Sequence, residues 1–156
     1  MITVDDILRE KRHTRVVTLR MQETVADAVR VMKRENISSV IVTDICGTEG
    51  STVMGVFSER DVTRALLEHG SNTPRMLLAS LLKREVISCR LDDGIATVLR
   101  LMDEHQVRHL PVMEEYTLIG VISATDLMRH YLREAEMKTL LDPALGGMDA
   151  HLTPLR

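Results

Sequence analysis

A seven-residue pattern occurs twice in this chain. Gly55-Val56-Phe57-Ser58-Glu59-Arg60-Asp61 returns later as Gly120-Val121-Ile122-Ser123-Ala124-Thr125-Asp126. Each copy joins an apolar strand end to an apolar helical pattern. A strand that runs into a helix leaves backbone N–H groups unpaired and gathers positive partial charge, which suits a phosphate. The aspartate is able to accept hydrogen bonds from ribose hydroxyls, as the acidic residue of a dinucleotide fold does. The same Ser-x-x-Asp spacing is also close to a capping box, in which both side chains serve only the helix's own N–H groups. A single copy reads as a cap. Two copies in one context require a search for a longer repeat.

In chain order, Val4 to Glu10 reads as a short amphipathic helix with Ile7 and Leu8 buried, and Lys11 to Arg15 as a solvated basic turn. Val16 to Leu19 is extended. From the N-cap candidate Thr24, apolar residues Val25, Ala28, Val29 and Met32 recur at helical spacing to about Asn36. Ile37 to Val42 reads as a strand, Asp44 to Ser51 as a hairpin loop, and Val53 to Phe57 as the returning strand. A helix is expected from Glu59 to about His69, with Gly70 as its C-cap.

After Ser71 to Arg75 the order restarts. Met76 to Lys83 reads as a short helix whose Leu81-Leu82 echoes Ile7-Leu8, and Val86 to Cys89 echoes Val16 to Leu19. A second helix carries Ile95, Val98, Leu99 and Met102. The strand Leu110 to Val112, a hairpin at Glu114 to Tyr116, the strand Leu118 to Ile122 and a helix from Ala124 to Arg133 follow. Met32 corresponds to Met102 and Ile37 to Val107, and after the hairpins Gly55 corresponds to Gly120 and Asp61 to Asp126. The offset between copies shortens there because the first hairpin loop is the longer one, and a surface loop is where insertions cost little. The chain is an internal duplication of a β-α-β-β-α unit, in the α/β (α+β) class, with repeat 1 over 1–72, repeat 2 over 73–135 and a tail over 136–156. In the tail, Ala135 to Leu141 is able to extend the last helix, and Asp142-Pro143 should stop it; its end is read as disordered or docked on a partner. Units of about 60 residues bury too little surface to stand alone, so the two should pack about a pseudo-twofold axis, leaving paired clefts suited to small ligands.

Composition narrows the function. The 156 residues carry a net charge of −3, and Phe57, Tyr116 and Tyr131 are the whole aromatic content. That argues against a general nucleic-acid binder, which needs basic surface or stacking platforms. No stretch approaches a membrane span, and the first residues do not read as a signal peptide, so a cytoplasmic protein is expected. Cys46 and Cys89 form no C-x-x-C pair and read as reduced thiols. His105 and His109 lack a third clustered ligand, so no metal is expected. Met32, Met102, Met113 and Met128 read as core filler. Arg64 and Arg129, three residues beyond the motif aspartates, suit either an ion pair along the helix or a phosphate. No nucleophile elbow, Walker loop or acid–base constellation is visible, so the chain is not read as an enzyme.

With the duplicated unit, the two Gly-h-h-Ser-x-x-Asp motifs and the run Val107-Arg108-His109-Leu110-Pro111-Val112, the chain resembles a tandem pair of cystathionine β-synthase (CBS) domains, a Bateman module, of the small stand-alone bacterial kind. The resemblance covers about residues 1–135. It implies a non-enzymatic regulatory sensor of an adenosine ligand, AMP first, with ADP, ATP or NAD(H) as alternatives. It implies ribose contacts at Asp61 and Asp126, and phosphate-side roles for Ser58, Arg60, Ser123 and Thr125. Base and phosphate pockets would be lined near Thr18, Ile37-Ser38, Ser88 and Arg108-His109-Leu110-Pro111. It further implies a homodimer and a separate downstream protein partner for signal transduction. Copy one offers Arg60 but only Ser38-Ser39 at its strand, while copy two offers Thr125 but Arg108-His109. Two sites that hold an anion by different means should differ in affinity. The alternative is a ligand-free dimerisation or scaffold unit in which the motifs only cap helices.

Overall fold

The computed structural model describes residues 1–11, 16–45, 51–83, 85–142 and 144. Its elements are α1 (Val4–Glu10), β1 (Thr18–Arg20), α2 (Val25–Glu35), β2 (Ser39–Ile45), β3 (Ser51–Ser58), α3 (Glu59–His69), two 3-10 turns (Gly70–Arg75 and Leu78–Ser80), α4 (Ile95–His105), β4 (His109–Glu114), β5 (Thr117–Ser123) and α5 (Ala124–Leu141). The duplicated α+β architecture is therefore present. β1 pairs parallel to β2, and β2 antiparallel to β3. In the second repeat β4 pairs antiparallel to β5, and Cys89 makes a single parallel bridge to Val112.

Local chemistry places the helix ends. α2 starts at a complete capping box, Thr24 with Asp27, and ends on Asn36 in the left-handed region at φ 52°. α4 ends in the same way on Gln106, its counterpart in the second repeat, also at φ 52°. Both sheets carry a bulge at corresponding places, between Val42 and Thr43 and between Val112 and Met113. Opposite the bulges stand the motif glycines: Gly55 faces Val42 and Gly120 faces Val112. A Cβ on Gly55 would lie 3.1 Å from Leu82 Cδ2, and one on Gly120 would lie 3.4 Å from Leu8 Cδ1. Each motif glycine thus faces a leucine from the other half of the chain; at Gly55 a side chain would require Leu82 to shift by a few tenths of an ångström, whereas at Gly120 the contact would be an ordinary one.

Those leucines mark an exchange. α1 does not pack on repeat 1: Val4, Ile7 and Leu8 are buried with Val98, Leu110, Val112, Ile122 and Leu127 of repeat 2. Leu78, in the segment that leads repeat 2, is buried with Val25, Ala28, Val40, Val42 and Phe57 of repeat 1. Backbone bonds fix both exchanges. Val4 N–H donates to the Asp93 carbonyl and Leu78 N–H to the Glu23 carbonyl, each at 2.9 Å. Each core is completed by the other half's leader, so neither half buries its apolar surface alone.

Four expectations need correction. The segment Met76 to Lys83 keeps one 3-10 turn, Leu78–Ser80, in place of a helix; Leu78 is its buried anchor, where the sequence emphasised Leu81-Leu82. The run Val86 to Cys89 forms a single bridge at Cys89, not a strand. Met128 is 67% exposed on α5, so it is not core filler, whereas Met32 and Met102 are buried. Lys11 is not a solvated turn residue, because its ammonium is engaged by a carboxylate of α5. The last helix reaches Leu141, as the Ala135 to Leu141 extension anticipated. Arg12 to Arg15, Cys46, the glycines of the first hairpin loop, Pro143 and the tail beyond Ala144 lie outside the described residues. Cys89 is buried, and that burial pushes its thiol up to about 12, consistent with a packing role.

Candidate functional site

Two clefts lie between the halves. The larger, of about 1250 Å³, is lined by Ser123, Thr125 and Asp126 from the second motif together with Val16, Val17, Asn36, Ile37 and Ser38 from repeat 1. The smaller, of about 440 Å³, is lined by Ser58, Arg60 and Asp61 from the first motif together with Val86, Ile87, Val107, Arg108 and Leu110 from repeat 2. Each cleft therefore takes its motif from one repeat and its opposite wall from the other. This corrects the expected pairing of charges. Arg60 does not share a cleft with Ser38 and Ser39 alone, nor Arg108 with Thr125; Arg60 and Arg108 line the same, smaller cleft. Arg64 and Lys83 line it too, against Glu59, Asp61 and Glu85.

The motifs are built as capping boxes. Ser58 N–H donates to Asp61 Oδ2 at 2.8 Å, Ser58 Oγ donates to the same oxygen at 3.0 Å, and Asp61 N–H returns to Ser58 Oγ at 3.4 Å. In the second motif Ser123 N–H donates to Asp126 Oδ2 at 2.7 Å and Asp126 N–H to Ser123 Oγ at 3.1 Å. Identical boxes stand at Thr3–Asp6 and Thr24–Asp27, where none of the four residues lines either cleft. The box by itself is thus a structural device of this chain. What sets the two motifs apart is their location: of the described capping boxes, only in these two do the capping serine and aspartate themselves line a cleft, where the helix N-terminus carries partial positive charge.

The two aspartates meet different surroundings. Lys11, just past α1, lines the larger cleft beside Asp126; its Nζ lies 2.7 Å from Asp126 Oδ2 and donates to the Val121 carbonyl at 2.6 Å. Among the described residues the cation paired with Asp61 is Arg64, its Nη1 at 3.9 Å from Oδ1. The ion-pair reading of Arg64 is present at that distance, while Arg129 lines the larger cleft. Nothing in the hydrophobic pattern pointed to Lys11, because the contact joins opposite ends of the duplicated chain.

Ser38 and His109 line both clefts and join them: Ser38 Oγ and His109 Nε2 are 2.9 Å apart. Burial holds the His109 imidazole below the ordinary histidine range; Asp126 pulls the other way, and Lys11 and Arg108 add to the depression. A depressed folded-state value means that the unfolded chain takes up the proton first. Stability is therefore lost as the pH falls from about 6.5, the unfolded value, toward the depressed folded one. Urea midpoints of the wild type are expected to drop across that window, and His109→Gln, which keeps a polar partner for Ser38, to flatten the drop. An unchanged slope in the variant would assign the acid sensitivity elsewhere.

Of the remaining sequence candidates, Thr18 and Ser88 are exposed and Pro111 is buried in β4; none of the three lines either cleft. Their places are taken by the neighbours Val16-Val17 and Val86-Ile87. Among the described residues no group of three His, Cys, Asp or Glu is arranged to hold a metal ion, and no helix is long and apolar enough to cross a membrane.

Comparison with known proteins fits this geometry. A family model described as CBS domain matches residues 4–68 and 78–133. The chain superposes on the crystal structure of the CBS-domain containing protein ATU1752 from Agrobacterium tumefaciens with a TM-score of 0.75 at 26% identity, covering 83% of this chain and 92% of that one. A structure of Hypoxic Response Protein I with two coordinated zinc ions matches with a TM-score of 0.64 at 26% identity, over 83% and 99%. The CBS domain pair of MJ0100, solved in complex with 5-methylthioadenosine and S-adenosyl-L-methionine, shares the fold at a TM-score of 0.72 and 19% identity, over 86% and 98%. A curated relative, the mitochondrial CBS domain-containing protein CBSX3 of Arabidopsis thaliana, is 25% identical over 114 residues, which are 72% of this chain and 54% of that protein.

Proposed function

The chain belongs to the CBS domain family, as a tandem pair, and on that premise we propose that it is a non-enzymatic regulatory module whose clefts bind an adenosine nucleotide, AMP foremost. The observation that carries the reading is the placement of both Ser-x-x-Asp pairs on the walls of clefts shared by the two repeats, while the capping residues of the other described boxes line neither. In each cleft the aspartate would accept from a ribose diol, at Asp126 in exchange for Lys11, and the helix N-terminus and nearby cations would meet phosphate. Arg60 and Arg108 together leave room in the charge balance for ADP, ATP or NAD(H). The adenosine ligands held by MJ0100 support the ligand class. Val16-Val17 and Val86-Ile87 supply the apolar walls that a purine needs.

Ligand state would pass to a separate protein, since binding energy shared between repeats shifts their relative arrangement only where the ligand contacts two arrangements differently. Exposed Leu66 and Leu67 on α3, and Met128 and Leu132, one helical turn apart on α5, support a homodimer, because exposed apolar side chains on helices are covered by a second copy. The scaffold reading rests on the capping boxes being complete without a ligand.

Thermal unfolding of nucleotide-free protein decides between them. Saturating AMP, ATP, NAD(H) or S-adenosylmethionine is expected to stabilise the fold by about 2.7 kcal/mol at a hundredfold excess over Kd for a ligand that binds. The shift should vanish in the Asp61→Ala/Asp126→Ala double variant. No shift with any of the four leaves the scaffold reading standing.

A further inference from the structure

We propose that Lys11 is a built-in competitor for the ligand at Asp126, so that the two clefts fill in order, the Asp61 cleft first. The inference rests on the nucleotide-binding reading of the clefts and names how one of them is regulated.

Lys11 Nζ is 2.7 Å from Asp126 Oδ2 and 2.6 Å from the Val121 carbonyl oxygen. The Asp126 side chain is 6% exposed and that of Lys11 25%. The oxygen that would receive a ribose hydroxyl already accepts the Ser123 N–H and the ammonium. A ribose at Asp126 has to displace that ammonium. At Asp61 the carboxylate is 27% exposed, and the Arg64 guanidinium, 48% exposed, stands at 3.9 Å. No comparable displacement is needed there.

The difference lies in residue type. Leu8 packs over Gly120 as Leu82 packs over Gly55, which aligns the two leading segments, Leu8 with Leu82. Counting three residues on from each leucine, the position of Lys11 in one segment is Glu85 in the other. Glu85 lines the smaller cleft, and a carboxylate cannot neutralise Asp61. Lys83 also lines that cleft, but among the described residues no lysine pairs with Asp61; the engaged ammonium belongs to one repeat.

Lys11 is also held from behind. Its neighbour Glu10 accepts from Arg133 Nη2 at 2.8 Å and sits 3.2 Å from His130 Nδ1, both on α5. A tethered group competes at a high effective concentration, so the ligand meets Lys11 at every approach. Its release frees the C-terminal end of α1 beside α5, which gives the second cleft a readout that the first lacks.

The test is calorimetric titration of the full chain with AMP, in the wild type, Lys11→Met and Lys11→Arg, with Asp61→Ala and Asp126→Ala assigning the two binding steps. The wild type should show two steps, the weaker at Asp126. Lys11→Met, which keeps the apolar stem, should tighten the Asp126 step by about tenfold and leave the Asp61 step unchanged, while Lys11→Arg keeps the weak step weak. An Asp126 step that is unchanged or weaker in Lys11→Met overturns the competition while leaving nucleotide binding intact at Asp61. Absence of any AMP binding in the folded wild type fails the nucleotide reading itself, and the competition with it. A second measurement needs no variant. The acetylation rate of Lys11 in the wild type, read by mass spectrometry, should rise as AMP fills the second step; a rate independent of AMP overturns the proposal.

Discussion

Replacing Arg60 and Arg108 together by alanine is expected to weaken AMP binding at the Asp61 cleft by about a hundredfold or more, and to leave the Asp126 cleft within about twofold. Each guanidinium that donates to a phosphate contributes on the order of 1.5–3 kcal/mol, a factor of ten or more per arginine. The two belong to different repeats and stand far apart in sequence, yet they line one cleft. The single variants should therefore act on the same calorimetric step, and their effects should be coupled, since they address one phosphate group. Had each repeat built its own site, Arg60→Ala would act on the Asp61 step and Arg108→Ala on the Asp126 step. That second pattern would refute the crossed clefts. The expected difference in affinity thus has a sharper physical basis than two sites using different cations: one cleft holds both strand-side and motif-side arginines, and in the other, which Arg9, Lys33 and Arg129 also line, the motif aspartate is already engaged by a lysine.

Much of this was legible in the sequence because it is local. Helix starts at Thr24, Ser58 and Ser123 follow from a hydroxyl and a carboxylate three residues apart, and the C-cap at Asn36 from a residue that tolerates the left-handed region. The return of Met32 as Met102, and of Gly55 as Gly120, exposed the duplication without any knowledge of contacts. What stayed hidden depends on which half meets which. The repeat says that two units exist, and nothing in its periodicity says that α1 completes the second core or that Leu78 completes the first. Once the leaders are exchanged, the walls of each cleft are exchanged too, and Arg108 moves from the company of Thr125 to that of Arg60. Lys11 was hidden for the same reason: inside its own basic segment it has no partner, and its carboxylate arrives from α5. Thr18 and Ser88 missed the clefts by one or two residues. An extended chain alternates its faces, so a ligand wall is placed by register, which the sequence alone leaves open.

The exchange of leaders makes a strong prediction about stability. Ile7 is 2% exposed and lies in the core of the second repeat, with Val98, Leu110 and Ile122. Ile7→Ala removes buried methyl and methylene groups from a site that a short helix cannot collapse to fill, and should cost about 2–5 kcal/mol by urea unfolding. The position of the damage is the more discriminating result. Hydrogen exchange should quicken first in α4, β4 and β5, all remote from the substitution in sequence, and later in β1 to β3. Leu78→Ala should do the reverse, opening α2 and β2 ahead of the second sheet, because its side chain is buried with Val25, Val40 and Phe57. If Ile7→Ala loosened α2 and β2 first, the leader would belong to its own repeat and the interlocked cores would be wrong. The same interlock bears on signalling. A ligand in either cleft touches a motif from one core and a wall from the other, so it has two cooperative units to bias against each other. In the larger cleft it also meets Lys11, the last described residue of the leader that closes the second core.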